Sequence, residues 1–408
     1  MRISRRSLLA SFGVGSLARL RWPARCSAAP ATAARPASPP MLPPIDAERI
    51  AGRIVSSLQP AAGERAILVY DPLYYPEIAG AIQFGLRAAG ANPVVLLTFD
   101  PPAIVRGEAA GAIPAAGIEE RTVAFLRPLF EQAAMFLWLP TREISNDTRW
   151  EHLVAGSRAR GIHFHWILPL EGHGADEVAV LSRMYERAIL ETDYPALSRE
   201  QDRLIAAVRG RSLRITDARG TDLRLRVPED AWFHKNDGDT SPARGAAARC
   251  ARDREMEFPS GALRLIPDVS STEGRLVVTS PVPRSAASPP EADTITLEFE
   301  HGHAVRHHAA KDDAAFARMW DGFGGDIDKV GEIVIGTNPL LAGTLPSGTL
   351  PYYGYGDGHV RVSMGDNWES GGANRSPSGR PLWLFLDRPT VETDGRARIV
   401  LKDGRIVR

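Results

Sequence analysis

Two different apolar periodicities share this chain, and the change from one to the other near residue 210 restricts its fold more than any other feature. Before that point, short apolar runs alternate with stretches of helical spacing. Residues 66–70 (Ala-Ile-Leu-Val-Tyr), 93–97, 135–139 and 162–168 read as buried strands. Residues 76–89 (stopped by Gly90), 121–132, 150–160 and 176–209 read as helices. Continuous apolar strands separated by helices of about a dozen residues predict a parallel sheet covered on both faces. Beyond Ser212 the period falls to two. Residues 212–227 alternate apolar and polar around a turn at 217–220, which predicts a hairpin. Alternation returns at 261–266, 275–279, 294–298, 331–335, 359–364 and 381–386, with one helix over 312–320 and a proline-rich loop over 281–290. The expected fold is an N-terminal parallel-sheet α/β domain over 45–210, followed by a β-rich α+β domain over 211–408.

The first 33 residues read as an export signal. Ser4, Arg5, Arg6, Ser7, Leu8 and Leu9 form a twin-arginine pattern. A weakly apolar stretch follows, diluted by Gly13 and Gly15, then Arg19, Arg21 and Arg25, and small residues at Ala31, Thr32 and Ala33. This predicts a signal peptide over 1–33, a Pro/Ala linker over 34–44, and a periplasmic or extracellular protein exported by the twin-arginine route. Cleavage at Ala33 would remove Cys26 and leave Cys250 with no internal disulfide partner.

Other classes find no support. The chain carries 49 basic and 49 acidic residues, so it shows no electrostatic footprint for nucleic acid. No apolar run after the leader approaches the roughly 20 residues that span a bilayer. The first strand runs into Tyr70, Asp71 and Pro72 without a glycine-rich phosphate loop. No Gly-x-Ser-x-Gly element is present, and Cys250 sits in an arginine-rich segment, so no nucleophile is assigned.

The ordered motifs of the second half resemble those of the thermophilic metallo-aminopeptidases, the aminopeptidase T family. They are Leu213-Arg-Ile-Thr-Asp217, Gly220-Thr-Asp-Leu223, Pro259-Ser-Gly261, Glu273-Gly-Arg275, Val330-Gly-Glu-Ile-Val-Ile-Gly-Thr-Asn-Pro339, Gly358-His-Val-Arg-Val-Ser-Met-Gly365, Gly371-Gly-Ala-Asn-Arg-Ser376 and Thr390-Val-Glu-Thr-Asp-Gly395. The resemblance covers roughly residues 45–405 and implies an aminopeptidase T-type fold, a peptide or small-molecule ligand, a homodimer, and a pair of divalent ions sharing an activated water. The same fold family includes a non-haem iron dioxygenase that opens dihydroxypyridine rings. Glu332 and His359 match the family's acidic and first histidine ligands. Other ligand positions depart from it: Ala262 follows the Pro-x-Gly turn where the family has a glutamate, and Pro377 to Pro381 replace its His-x-Asp.

Three readings stay open. The first is a metal-dependent hydrolase, with zinc or cobalt held by Glu332 and His359 and the shell rebuilt from His234, Glu257, Asp366, Glu369 or Asp387. A solvated loop charge is the commoner role for each substitute. The second is a single iron site of two histidines and one carboxylate, with His234 joining His359 and Glu332. The third is a non-catalytic relative that binds a ligand or partner and keeps Gly331, Gly336, Gly358, Gly365, Gly371 and Gly372 for backbone shape alone. His163 and His165 share one strand face and read as sheet histidines. His301 and His303 flank a turn, His307 and His308 point to opposite faces of the next strand, and His173 lies near a strand end where α/β sheets open. Tyr352, Tyr353 and Tyr355 are candidates for a pocket wall and equally for loop packing.

Overall fold

The two periodicities build one parallel and two antiparallel sheets. The computed structural model describes residues 43–70, 76–98, 120–139, 153, 156–166, 175–278, 293–344, 350–377, 381–386, 388–394 and 398–408. The leader with Cys26, the helix expected over 150–160 except Leu153 and residues 156–160, His173, the 281–290 loop and Asp387 lie outside the described residues. In chain order the strands are β1 (Ala66–Tyr70), β2 (Val94–Thr98), β3 (Met135–Trp138), β4 (Arg160–Phe164), β5 (Ser212–Thr216) and β6 (Asp222–Arg226). Then come β7 (Phe233–Asn236), β8 (Glu255–Phe258), β9 (Ala262–Leu265), β10 (Asp268–Val278), β11 (Asp293–Glu300) and β12 (His303–Lys311). The last are β13 (Val330–Gly336), β14 (Val360–Gly365), β15 (Pro381–Leu386), β16 (Thr390–Thr393), β17 (Arg398–Lys402) and β18 (Arg405–Ile406).

The parallel sheet has the order β2-β1-β3-β4-β8. Its fifth strand comes from the second half of the chain. Glu255-Met-Glu-Phe258 is short and half acidic, so periodicity alone does not mark it as a sheet member. On one face Leu68, Leu137, Ile162, Met256 and Phe258 pack under the helices Ala47–Leu58, Pro76–Ala88 and Ala175–Leu190. The first of these, which the sequence reading did not anticipate, starts where the Asp46 carboxylate accepts from the Arg49 amide at 3.1 Å. Its Ile50, Ile54 and Leu58 form the buried stripe. Ile67, Val69, Phe136 and Trp138 face the opposite side, against Phe130 of the helix Glu120–Gln132.

The second half forms an eight-stranded sheet, β12-β11-β10-β6-β5-β16-β17-β18, and a five-stranded sheet, β15-β14-β13-β9-β7. The β5–β6 hairpin closes as its sequence predicts. Asp217 Oδ1 accepts from the amides of Arg219 and Thr221 at 2.9 and 3.0 Å, while Gly220 takes the positive φ of 103°. Between these two sheets lies one core that includes Leu223, Leu225, Leu276, Leu297, Ile333, Val362 and Leu384. Full burial of each such side chain contributes roughly 1.5–3 kcal/mol. Among the described residues, no helix is long and apolar enough to cross a membrane.

Candidate functional site

The five-stranded sheet has two unlike faces. Its register places Leu265, Ile333, Val362 and Leu384 in one row and Leu263, Ile335, Val360 and Leu386 in another, all in the core beneath. Side chains alternate across a strand, so the intervening rows project the other way. One of these rows runs His234, Arg264, Val334, Arg361, Phe385; the next carries Glu332, Ser363 and Trp383. This polar face is covered: His234, Arg264, Glu332, Arg361 and Ser363 are all buried.

Its charges meet those of β8, where Glu255 and Glu257 alternate with the core residues Met256 and Phe258. Arg264 stands between two carboxylates, with Nη2 2.8 Å from Glu257 and Nη1 3.6 Å from Glu332. Glu332 is also 3.4 Å from Arg361 Nη2 and accepts from the Ser370 hydroxyl at 3.3 Å. Arg252 reaches Glu255 at 2.7 Å and Glu257 at 3.7 Å, and pairs with Glu369. The Tyr355 hydroxyl donates to Glu257 and accepts from Arg264. His163 Nδ1 lies 2.7 Å from Glu255.

Removing this many charges from water costs several kcal/mol per ion, so the pairing is what makes the face possible. Burial alone would raise the Glu257 pKa, but Arg264 and then Arg252 outweigh it and hold that carboxyl well below the ordinary range. Burial likewise opposes the charge on Glu255, yet Arg252 and His163 bring its pKa down to about 2. His234 is held well below the usual imidazole value by burial first, then by Arg244 and Arg264. His165 falls to about 4 through burial and the neighbouring His163.

Aromatic rings cover one end of this face. Gly336 admits the approach, since a Cβ there would meet the Gly356 carbonyl at 2.1 Å. The amides of Thr337 and Asn338 each donate to the Tyr355 carbonyl at 3.0 Å. Tyr352 and Tyr353 both take positive φ, 39° and 54°. The Tyr353 ring lies 5.3 Å from Trp383 and 5.5 Å from His165, and the Arg361 guanidinium lies 4.4 Å over Trp383. The three tyrosines therefore pack on one another and on Trp383 beside the buried charges.

Two solved structures share this arrangement of sheets. Wild-type AmpT from Thermus thermophilus aligns with a TM-score of 0.64 over 89% of this chain and 99% of its own, at 16% identity. The fold is aminopeptidase T-like. The 2,5-dihydroxypyridine dioxygenase from Pseudomonas putida KT2440 aligns with a TM-score of 0.60 over 89% of this chain and 98% of its own, at 18% identity. No family profile and no curated protein sequence matches the chain.

On this aminopeptidase T-like frame, Glu257 and Glu332 meet through Arg264, with His234 beside it in the same row. His359 does not join them. Its Nε2 lies 3.0 Å from the Gly343 carbonyl. Ser363, which pairs with Glu332, is four residues farther along the chain, about 13 Å at the usual strand rise, with Arg361 between. His234 stacks on Trp232, rings 5.9 Å apart and 11° from parallel, and its Nδ1 has no partner. Asp366 accepts from the amides of Trp368 and Ser376 at 3.0 Å each, and Glu369 is taken by Arg252. Among the described residues, no group of three or more His, Cys, Asp or Glu side chains is arranged to hold a metal. The donor set does not fit a divalent ion: both glutamates already face guanidinium groups, and a dication would sit among fixed positive charges.

Arg252, Arg264 and Arg361 were not found by sequence reading. For Arg264 and Arg361 the signal was available in Leu263-Arg-Leu265 and Val360-Arg-Val-Ser-Met364, where polar residues alternate with apolar ones; Arg252 lies in a short 3-10 turn and carries no such signal. Period-two alternation says that the arginines share a face but does not say that the face is covered.

Proposed function

We propose that this chain is an exported ligand-binding protein that uses the aminopeptidase T-like fold without a metal centre. The observation that carries the reading is Arg264 lodged between Glu257 and Glu332, which gives both carboxylates a guanidinium partner. Such an arrangement neutralises the acids that a hydrolytic metal site would need, and it leaves recognition to arginine, hydroxyl and aromatic groups.

Metal titration of protein purified from its native compartment tests this. Zinc, cobalt and iron(II) are each expected to bind without stoichiometric saturation. Two zinc or cobalt ions per chain with peptide cleavage would restore the metallo-aminopeptidase reading around Glu332 and His359. One iron with oxygen consumption would restore the ring-cleaving one. Export rests on Arg5 and Arg6. Replacing both by lysine is expected to hold the precursor inside the cell, and normal export of that variant would refute the twin-arginine route.

A further inference from the structure

The charge network is uneven along its length. At one end Arg252 serves Glu255, Glu257 and Glu369. At the other, Arg361 meets Glu332 at 3.4 Å through Nη2 and shares it with Arg264, which Glu257 holds more closely at 2.8 Å. Arg361 is 1% exposed, and its Nε and Nη1 have no hydrogen-bond partner. Two residues on, and on the same face, the Ser363 hydroxyl is 1% exposed and also unbonded. Buried donors are normally satisfied, and unsatisfied ones on a cation are among the most expensive. These groups stand against Trp383, which pairs with Ser363 across the strands and touches the Tyr353 ring.

We infer that Arg361 and Ser363, backed by Trp383 and Tyr353, form a receptor for a small organic carboxylate carried on a planar ring. The inference rests on the metal-free reading above and names the ligand class of that same site. A carboxylate supplies acceptors for the Arg361 N–H groups that Glu332, held only through Nη2, leaves vacant. A planar ring beside it would lie against the Tyr353 and Trp383 rings, which pack edge to face on each other and are only half-buried. A phosphate would satisfy the arginine but leave the rings unused.

Calorimetric titration with benzoate, its neutral isostere benzamide and inorganic phosphate provides the test, run on the full mature chain in EDTA. Benzoate is expected to bind, with benzamide and phosphate about tenfold weaker or more. Arg361→Met should cost about ten- to a hundredfold in benzoate affinity. Ser363→Ala, which removes a buried hydroxyl that has no partner, should leave the melting temperature unchanged and weaken benzoate several-fold, so the site can be tested even if Arg361→Met fails to fold. Equal binding of benzoate and benzamide, tighter binding of phosphate, no binding of any probe either in EDTA or with added zinc, or benzoate affinity untouched by both substitutions would overturn the inference. Benzoate binding that requires added zinc yet is still lost in Arg361→Met would overturn the metal-free reading and leave the carboxylate receptor standing.

Discussion

The two faces of the five-stranded sheet are made by the same strands and held by opposite means. Leu263 and Leu265 flank Arg264; Val360 and Val362 flank Arg361. The leucines and valines enter a core whose attraction is non-directional and scales with area. The arginines enter a second interior where every charge needs a partner at a set distance. The apolar face can therefore absorb change locally, whereas the polar face fails when one member goes and its partner remains. The difference also motivates the proposed ligand site: an aliphatic face explains itself by burial, and a buried charged face with vacant donors does not.

The strongest way to break this comparison is Arg264→Ala. It strands Glu257 and Glu332, and a loss of about 3–5 kcal/mol in unfolding free energy is expected by chemical denaturation. Combining Arg264→Met with Glu257→Gln removes charge from both sides and should recover a substantial part of that loss. If Arg264→Ala costs less than about 1 kcal/mol, the polar face is solvated and the contrast collapses.

A pH titration of stability sharpens the same point. His165 faces His163, Glu255, Glu257 and Arg252, with the Tyr352 and Tyr353 rings against it. Its folded pKa of about 4 lies below the ordinary 6.5, so the unfolded chain takes the proton first as pH falls. Stability is then fully present above about pH 6.5 and declines towards pH 4, by up to about 1.4 kcal/mol per pH unit. Glu257 acts in a lower window: its depressed pKa stabilises the fold above the ordinary carboxylate range and is lost on further acidification. His234, also depressed below the usual imidazole value, contributes in the same upper window, so His165→Gln should reduce that slope without abolishing it and leave the lower window in place. A slope between pH 6.5 and 4 left unchanged by this substitution would assign it to another group.

Most of the architecture is legible in the sequence because each element carries its own period. The first three parallel strands stand where their apolar runs put them, and the hairpin at residues 212–227 and the strands around Glu332 and after His359 stand where alternation puts them; the fourth parallel strand, expected over 162–168, is Arg160–Phe164. What the sequence hides is partnership. β8 belongs to the parallel sheet through a pairing with β4 that crosses the helical bridge, and no local pattern encodes it. Glu332 and His359 are readable as candidates, but their separation depends on register, with Arg361 lying between. Glu257 is readable as an acid near a turn; that it lies under Arg264 and Tyr355 depends on how two sheets meet.

The smallest expected effect tests the apolar face. Ile335 is 1% exposed, one residue along β13 from Val334 on the polar side. Ile335→Val removes one methylene from a packed core and should cost about 0.5–1.5 kcal/mol. It shares no partner with Ser363, whose substitution acts on the opposite face, so the Ile335→Val, Ser363→Ala double variant should show the two effects adding within about 0.5 kcal/mol. Benzoate affinity in that double variant should equal that of Ser363→Ala alone. A larger interaction energy, or a further loss of affinity, would mean that the sheet transmits packing changes from one face to the other, and the two faces would then have to be treated as a single cooperative layer.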